Sequence, residues 1–142
     1  MTNIQFLHGA PDRLAAAAEW LRQAWHRRQS VLVYVPARQA AEQLDRLLWS
    51  HPATSFVPHC SMESSLAGET PILLASQLDE LPQDACLLNL GDELPPGFSR
   101  FGELVEIISS ADGDRLPARE RFKFYRERGY AIEARNIAAG LQ

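Results

Sequence analysis

Apolar and polar positions in the first third of the chain predict two successive strand–helix pairs. Residues 3–7 alternate partly, as a strand does, and residues 8–11 are expected to break it before Asp12 caps a helix. From Leu14 to Trp25 apolar residues recur at three- and four-residue steps, which gives that helix one apolar face. Residues 30–35 are mostly β-branched or aliphatic, a composition typical of a strand covered on both faces.

The rest of the chain continues this alternation. The second helix is predicted over residues 37–50, with four apolar side chains turned inward: Ala40, Leu44, Leu47 and Leu48. Three short apolar runs predict further strands: residues 72–75, 85–89 and 104–108. A helical turn is predicted at residues 98–101, and a last helix over residues 116–128 is ended by Gly129. This order favours an α/β fold, a doubly wound and mostly parallel sheet flanked by helices in one domain over residues 1–142.

Composition agrees with one globular domain, because 46% of the 142 residues are apolar and 23% are charged. The net charge of −4 argues against general nucleic-acid binding, since duplex binding relies on a broad basic surface. Cys60 and Cys86 lack a Cys-x-x-Cys spacing and are expected to be core thiols in a reducing compartment. Neither a secretory leader nor an apolar run of about 20 residues is visible, so we expect a cytoplasmic protein without a membrane span.

The sequence lacks the patterns that cofactor binding or catalysis needs on such a sheet. Residues 8–12 contain neither Gly-x-Gly-x-x-Gly nor the Gly-Lys-Ser/Thr of a P-loop, and Asp12 brings negative charge to the positive helix end. The four histidines show no metal-ligand spacing. Asp92 and Glu93 follow a strand and are interpreted as a solvated turn. We therefore expect no catalytic residue, cofactor or metal; a nucleotide-binding module or small enzyme on the same sheet is the alternative hypothesis.

The C-terminal helix concentrates positive charge in an otherwise acidic chain. Residues 115–128 contain six cations and two carboxylates, a local net charge of +4. At about 100° per residue, four cations fall within one quadrant: Arg115, Arg119, Lys123 and Arg126. Phe122 and Tyr125 border this quadrant. Such a face is either a solvated surface, partly compensated by Glu120 and Glu127, or a shallow site for an acidic peptide or terminal carboxylate; we favour the peptide site.

A second unusual feature is Trp49, which lies about 140° from Leu44 on the second helix and so falls outside the apolar stripe. The proline-bounded loop that follows contains another aromatic residue, Phe56. Large aromatic side chains away from the core are typical of interaction hot spots. The alternative is that the loop folds back and buries both side chains within the chain.

Two segments resemble the chi family of bacterial DNA polymerase III. One is the helix end and loop formed by Leu48-Trp49 and Ser55-Phe56-Val57-Pro58-His59, and the other is the basic helix at residues 118–126, ARERFKFYR. The order of strands and helices is similar over nearly the whole chain. The resemblance implies a Rossmann-like, non-catalytic clamp-loader subunit. It also implies two partners: the psi subunit and the acidic C-terminal tail of single-stranded-DNA-binding protein.

The resemblance further implies residue roles. Arg119 would receive the terminal carboxylate of the tail, while further cations attract its acidic residues: Arg115, Lys123 and Arg126. Phe122 and Tyr125 would form walls around the apolar end of the tail. The psi-facing surface, which a helicase-like partner would also be able to use, would comprise four residues: Trp49, Phe56, Val57 and Pro58. Direct binding of single-stranded DNA is not expected, because one basic helix lacks an extended groove with stacking aromatics.

Overall fold

The computed structural model describes residues 2–49, 58–61, 71–78 and 84–141. Within these ranges the chain forms seven strands: β1 (Asn3–Ala10), β2 (Val31–Tyr34), β3 (His59–Ser61), β4 (Ile72–Ala75), β5 (Cys86–Asn89), β6 (Glu103–Ser109) and β7 (Ala131–Asn136). The same ranges contain three α-helices: α1 (Arg13–His26), α2 (Arg38–Trp49) and α3 (Asp112–Glu127). A short 3₁₀ turn, Phe98–Arg100, precedes β6.

All seven strands join one parallel sheet in the order β3-β4-β2-β5-β6-β1-β7. Because successive side chains of a strand point to opposite faces, β2 places Val33 on the face covered by α1 and α2 and Leu32 on the face covered by α3. In β6, Val105 and Leu104 divide in the same way. The predicted α/β fold with a mostly parallel sheet and helices on both faces is confirmed.

The helices α1 and α2 pack as their patterns predict, and α1 begins at the predicted cap. The Asp12 carboxylate accepts a hydrogen bond from the Ala15 N–H at 2.9 Å and so caps α1. The apolar stripe of α1 is buried against the sheet and against α2, where Leu44 and Leu48 are fully buried. Ala40 and Leu47 are half-buried against the same core.

Several boundaries differ from the prediction. The strand β1 continues through Ala10 because Gly9, at φ +80°, allows a register shift against β6 that most residues would resist. The helix α3 begins at Asp112 rather than at Leu116, and acidic residues in its first turn favour that start by interacting with the helix dipole. Pro117 therefore lies inside the helix.

The strands β3 and β7 were not predicted, since β3 has three residues and β7 has one large apolar side chain among six. Cys86 is buried, and burial, followed by the nearby Glu103 carboxylate, raises the pKa of its thiol; Cys60 is half-buried. None of the helices in the described ranges is both long and apolar enough to cross a membrane.

Candidate functional site

The exposed flank of α3 carries three cations: Arg119, Lys123 and Arg126. In the part of the chain that the structure describes, none of the three forms an ion pair with a carboxylate. The Arg126 guanidinium lies 5.9 Å from the centroid of the half-buried Phe122 ring, so charge and aromatic carbon are adjacent. We call these three cations with Phe122 the basic flank. Its chemistry suits a carboxylate-rich segment with an apolar group.

Two further cations of α3 contribute less to this surface than the sequence indicated. Arg115 donates a hydrogen bond to the Asp112 carboxylate at 2.7 Å, one turn earlier, so its charge is locally balanced. Arg121 is 3% exposed and points into the core. The outward positive charge of α3 is therefore concentrated in the basic flank.

Tyr125 corrects one prediction about the walls of the site. Its side chain is fully buried, among Phe98, Phe124 and Tyr130, and so it does not line a surface for a bound tail. Of the two aromatic residues expected to border the cations, Phe122 alone is available. Helical spacing placed Tyr125 at the border of the quadrant of cations, but spacing alone did not show which side of the helix faces the core.

A buried polar cluster explains why Arg121 and Tyr125 turn inward. The Glu106 carboxylate, completely buried on β6, accepts two hydrogen bonds from Arg121 at 3.0 and 3.1 Å and one from the Tyr125 hydroxyl at 2.7 Å. The Asn89 amide donates to both carboxylate oxygens at 3.1 Å. Arg121 also donates to the Asp92 carbonyl at 2.7 Å. This cluster fixes the rotation of α3 on the sheet and thus the direction of the basic flank.

Sequence analysis missed the role of Glu106, although a signal was present. Glu106 interrupts the apolar run of β6, where a charge is stable only if a buried partner compensates it. The alternation of β6 predicts that Glu106 shares a face with Leu104, which is the α3 face. A cation of α3 was therefore the expected partner.

Replacing Tyr125 with phenylalanine is expected to make the free energy of unfolding fall less steeply as the pH rises above about 10. Burial, and then the Glu106 carboxylate, raises the pKa of the Tyr125 phenol. Because the folded-state pKa lies above the unfolded value, this stabilisation is complete below about pH 10 and declines above it by up to about 1.4 kcal/mol per pH unit. Urea unfolding of both proteins between about pH 9 and pH 11 should show the wild-type advantage shrinking as pH rises; a constant difference would contradict the assignment.

The basic flank faces the β7 end of the sheet. Phe122, beside the cations, makes an edge-to-face contact with Phe6 of β1 at 5.0 Å, and Ile132 of β7 packs against the same small cluster of buried residues. On the opposite flank of α3, Arg121 reaches the loop after β5. The exposed cations are consequently on the β7 side of α3.

The predicted hot spot Trp49 lies at the end of α2 and is 58% exposed. Its ring contacts His59 of β3 edge-to-face at 5.6 Å, and the His59 Nε2 lies 2.9 Å from an Asp45 oxygen. Pro58 is half-buried beside this pair. Phe56 and Val57 lie outside the described residues. We call Trp49 with His59 and Pro58 the tryptophan surface.

The two surfaces are far apart on the sheet. The tryptophan surface includes β3, one end of the strand order, and the basic flank lies on the side of α3 towards β7, the other end. Six strand spacings of roughly 4.8 Å separate these ends by about 29 Å. They also use opposite faces, because α2 covers one side of the sheet and α3 the other. The two surfaces therefore do not overlap.

The carboxyl ends of the strands, where doubly wound folds usually bind ligands, form an acidic cleft of about 380 Å³. Arg13 lies in this cleft, but it donates to the Ile107 and Gly91 carbonyls at 2.7 and 2.8 Å and approaches the carboxylates of Asp92 and Asp114. A phosphate would meet these carboxylates rather than a free cation. Among the residues described, no three His, Cys, Asp or Glu side chains converge as metal ligands.

Comparison with known proteins decides the family. The sequence profile described as DNA polymerase III chi subunit, HolC, matches residues 1–133. The chain belongs to the chi family. This confirms the resemblance noted in the helix-end loop and in the basic helix.

Curated chi relatives agree with this assignment. The chain is 34% identical over 125 residues to the DNA polymerase III subunit chi of Pseudomonas aeruginosa, and the aligned region covers 85% of this chain and 84% of the relative. It is 30% identical over 109 residues to that of Escherichia coli, covering 76% and 74%, respectively. It is 28% identical over 115 residues to that of Haemophilus influenzae, covering 80% and 79%. All three relatives are named as the chi subunit of DNA polymerase III.

Proposed function

We propose that this chi family member is a non-catalytic adaptor of the DNA polymerase III clamp loader. It binds the acidic C-terminal tail of single-stranded-DNA-binding protein on the basic flank and the psi subunit on the tryptophan surface. The observation that supports this most directly is the exposed set of three cations without carboxylate partners in the described structure, beside an apolar ring. An adaptor needs two separate surfaces, and the positions of β3 and β7 at opposite ends of the strand order support this arrangement.

The basic flank is suited to weak, reversible capture. Each charge-assisted hydrogen bond contributes on the order of 1.5–3 kcal/mol. Two such contacts with one apolar anchor give roughly −8 kcal/mol, which is about micromolar affinity. Because the cations are exposed, salt screens them and the affinity falls as ionic strength rises. Release and recapture of a moving DNA-bound partner require this kind of affinity.

The tryptophan surface is suited to a more apolar contact. Trp49 has a large exposed ring, and the His59–Asp45 pair lies beside it. Burial of such a ring depends little on salt, so psi binding should persist at ionic strengths that release the tail. The same surface is available to a helicase-like partner in place of psi.

Changing Arg119 to alanine tests the tail site. A synthetic peptide of four aspartates followed by a C-terminal phenylalanine should bind the variant at least tenfold more weakly, because one charge-assisted contact is lost. Titration calorimetry at low salt measures this. The matched control is Arg38→Ala, which removes a 93% exposed arginine from α2 on the other face of the sheet and should leave the affinity unchanged. Equal binding by wild type and Arg119→Ala would refute the assignment.

A further inference from the structure

The strand β7 presents an open hydrogen-bonding edge. It ends the strand order, and no described strand pairs with its outer side. Its register with β1 runs without a bulge from Asn3 opposite Ala131 to His8 opposite Asn136, and five of its six residues are exposed. Natural proteins usually protect such edges with proline, a bulge, charged side chains or a covering element. In the described part of the chain β7 carries two charged side chains, Glu133 and Arg135, but no proline, bulge or covering strand.

The direction of the free backbone groups follows from one hydrogen bond. The Ile137 N–H, directly after β7, donates to the His8 carbonyl of β1 at 2.8 Å. Successive N–H groups of an extended strand point to opposite sides in the plane of the sheet. The N–H and C=O groups of Ile132, Ala134 and Asn136 are therefore directed at the open edge. They form a ladder to which an extended segment can pair.

The basic flank lies on the same side of α3 as the position that an added strand would occupy. Such a strand would run about 4.8 Å beyond β7. The register places Ile132 and Ala134 beside Ile4 and Phe6 on the α3 face, where Ile132 is half-buried and Ala134 is exposed. The small Ala134 side chain leaves room for an apolar group of the added segment. Its alternate side chains would point towards the cations of α3.

We propose that the acidic tail binds by β-strand addition: it pairs its backbone with the open edge of β7 and directs alternate carboxylates at the basic flank. This inference rests on the proposed function, since it assumes that the basic flank takes an acidic tail. Charge complementarity favours this occupant. The β7 edge of a second copy has one acid and one base, Glu133 and Arg135, and so offers no excess of carboxylates to the cations.

The protein side of the test is Ala134→Pro. Proline removes one outward N–H but no hydrogen bond to β1, and edge strands tolerate it where the N–H faces solvent. The peptide of four aspartates and a C-terminal phenylalanine should bind this variant at least tenfold more weakly than wild type. Ala134→Ser, which keeps the N–H, is the matched control and should bind like wild type. Thermal unfolding of both variants checks that β7 is intact.

Two measurements on the wild-type protein keep the test valid if Ala134→Pro does not fold. Hydrogen exchange of the Ile132, Ala134 and Asn136 amides should slow at least tenfold when the peptide is added. Two versions of the peptide, N-methylated at alternate positions in the two possible registers, should differ in affinity at least tenfold, because one set of N–H groups faces β7. A peptide bound only by its side chains would not distinguish the two.

The outcomes separate this inference from the proposed function. Suppose that the peptide binds wild type, but that binding is the same for Ala134→Pro, amide exchange does not slow and the two N-methylated peptides bind equally. Tail capture then stands and strand addition is wrong. If wild type does not bind the peptide at all, both are wrong. If the three amides become protected with increasing protein concentration in the absence of peptide, the edge pairs with a second copy and the proposed occupant is wrong.

Discussion

Replacing Glu106 with glutamine is expected to lower the free energy of unfolding by about 3–5 kcal/mol. The carboxylate is completely buried and pairs with Arg121 through two hydrogen bonds. Glutamine preserves the shape but removes the negative charge, which leaves the 3% exposed guanidinium of Arg121 without compensation. Its amide NH₂ would also face donors of Arg121, Tyr125 and Asn89, which at present all point at oxygen.

Urea unfolding with an unchanged m-value measures this loss. Glu120→Gln is the control, since Glu120 is exposed on α3 and its replacement should change stability by no more than about 0.5 kcal/mol. The double variant Glu106→Leu with Arg121→Met should recover much of the lost stability, because an apolar pair avoids an uncompensated buried charge. A loss below about 1 kcal/mol for Glu106→Gln would mean that the pair is not the anchor of α3.

This cluster links stability to function. Arg121 lies next to Phe122 and two residues from Lys123, so its contact with Glu106 determines which side of α3 faces the solvent. If α3 turned by one residue, or about 100°, the cations would leave the β7 side of the sheet. The basic flank, which is the proposed tail site, therefore depends on a core interaction that none of its exposed residues makes directly.

The central fold was predictable because its signals are local. The apolar runs of β4 and β5 are short and nearly continuous, as parallel strands covered on both faces require, and in β6 a single charged residue, Glu106, divides two apolar pairs. The strand β7 gave no such signal: Ile132 is its single large apolar residue, and its pairing depends on β1, more than 120 positions earlier in the chain. An exposed edge strand pairs with one neighbouring strand, and most of its side chains face solvent. Few of its positions therefore require an apolar residue.

The candidate site was predictable in part for a related reason. Helical periodicity placed Arg119, Lys123 and Arg126 together, and the structure exposes all three. Neither periodicity nor a charge count reveals partners on other elements, so the net charge of +4 for residues 115–128 included Arg121 although Glu106 neutralises it in the core. Periodicity also placed Tyr125 at the surface, whereas its hydroxyl completes the same buried cluster. Charge patterns on a helix thus predict the site only where the long-range partners are known.

Replacing Trp49 with alanine is expected to weaken binding of the psi subunit by about 2–4 kcal/mol, or roughly thirty- to a thousandfold. A tryptophan that is 58% exposed in the free chain loses a large apolar area from water when a partner covers it. Its edge-to-face contact with His59 orients the ring before binding, which reduces the entropy lost on association. These features are typical of interface hot spots, and truncation to alanine removes the ring entirely.

The control for Trp49→Ala is Leu116→Ala. Leu116 is the other large apolar residue that is strongly exposed among the described residues, at 50%, and it lies on α3 rather than on α2. Surface plasmon resonance with purified psi should show the loss for Trp49→Ala alone. The aspartate–phenylalanine peptide should bind Trp49→Ala like wild type, because about 29 Å of sheet separates the two surfaces. If psi binds Trp49→Ala within threefold of wild type, the psi surface lies elsewhere. If Trp49→Ala weakens the binding of both psi and the peptide, the two surfaces are not independent, and a single shared interface must replace the adaptor arrangement.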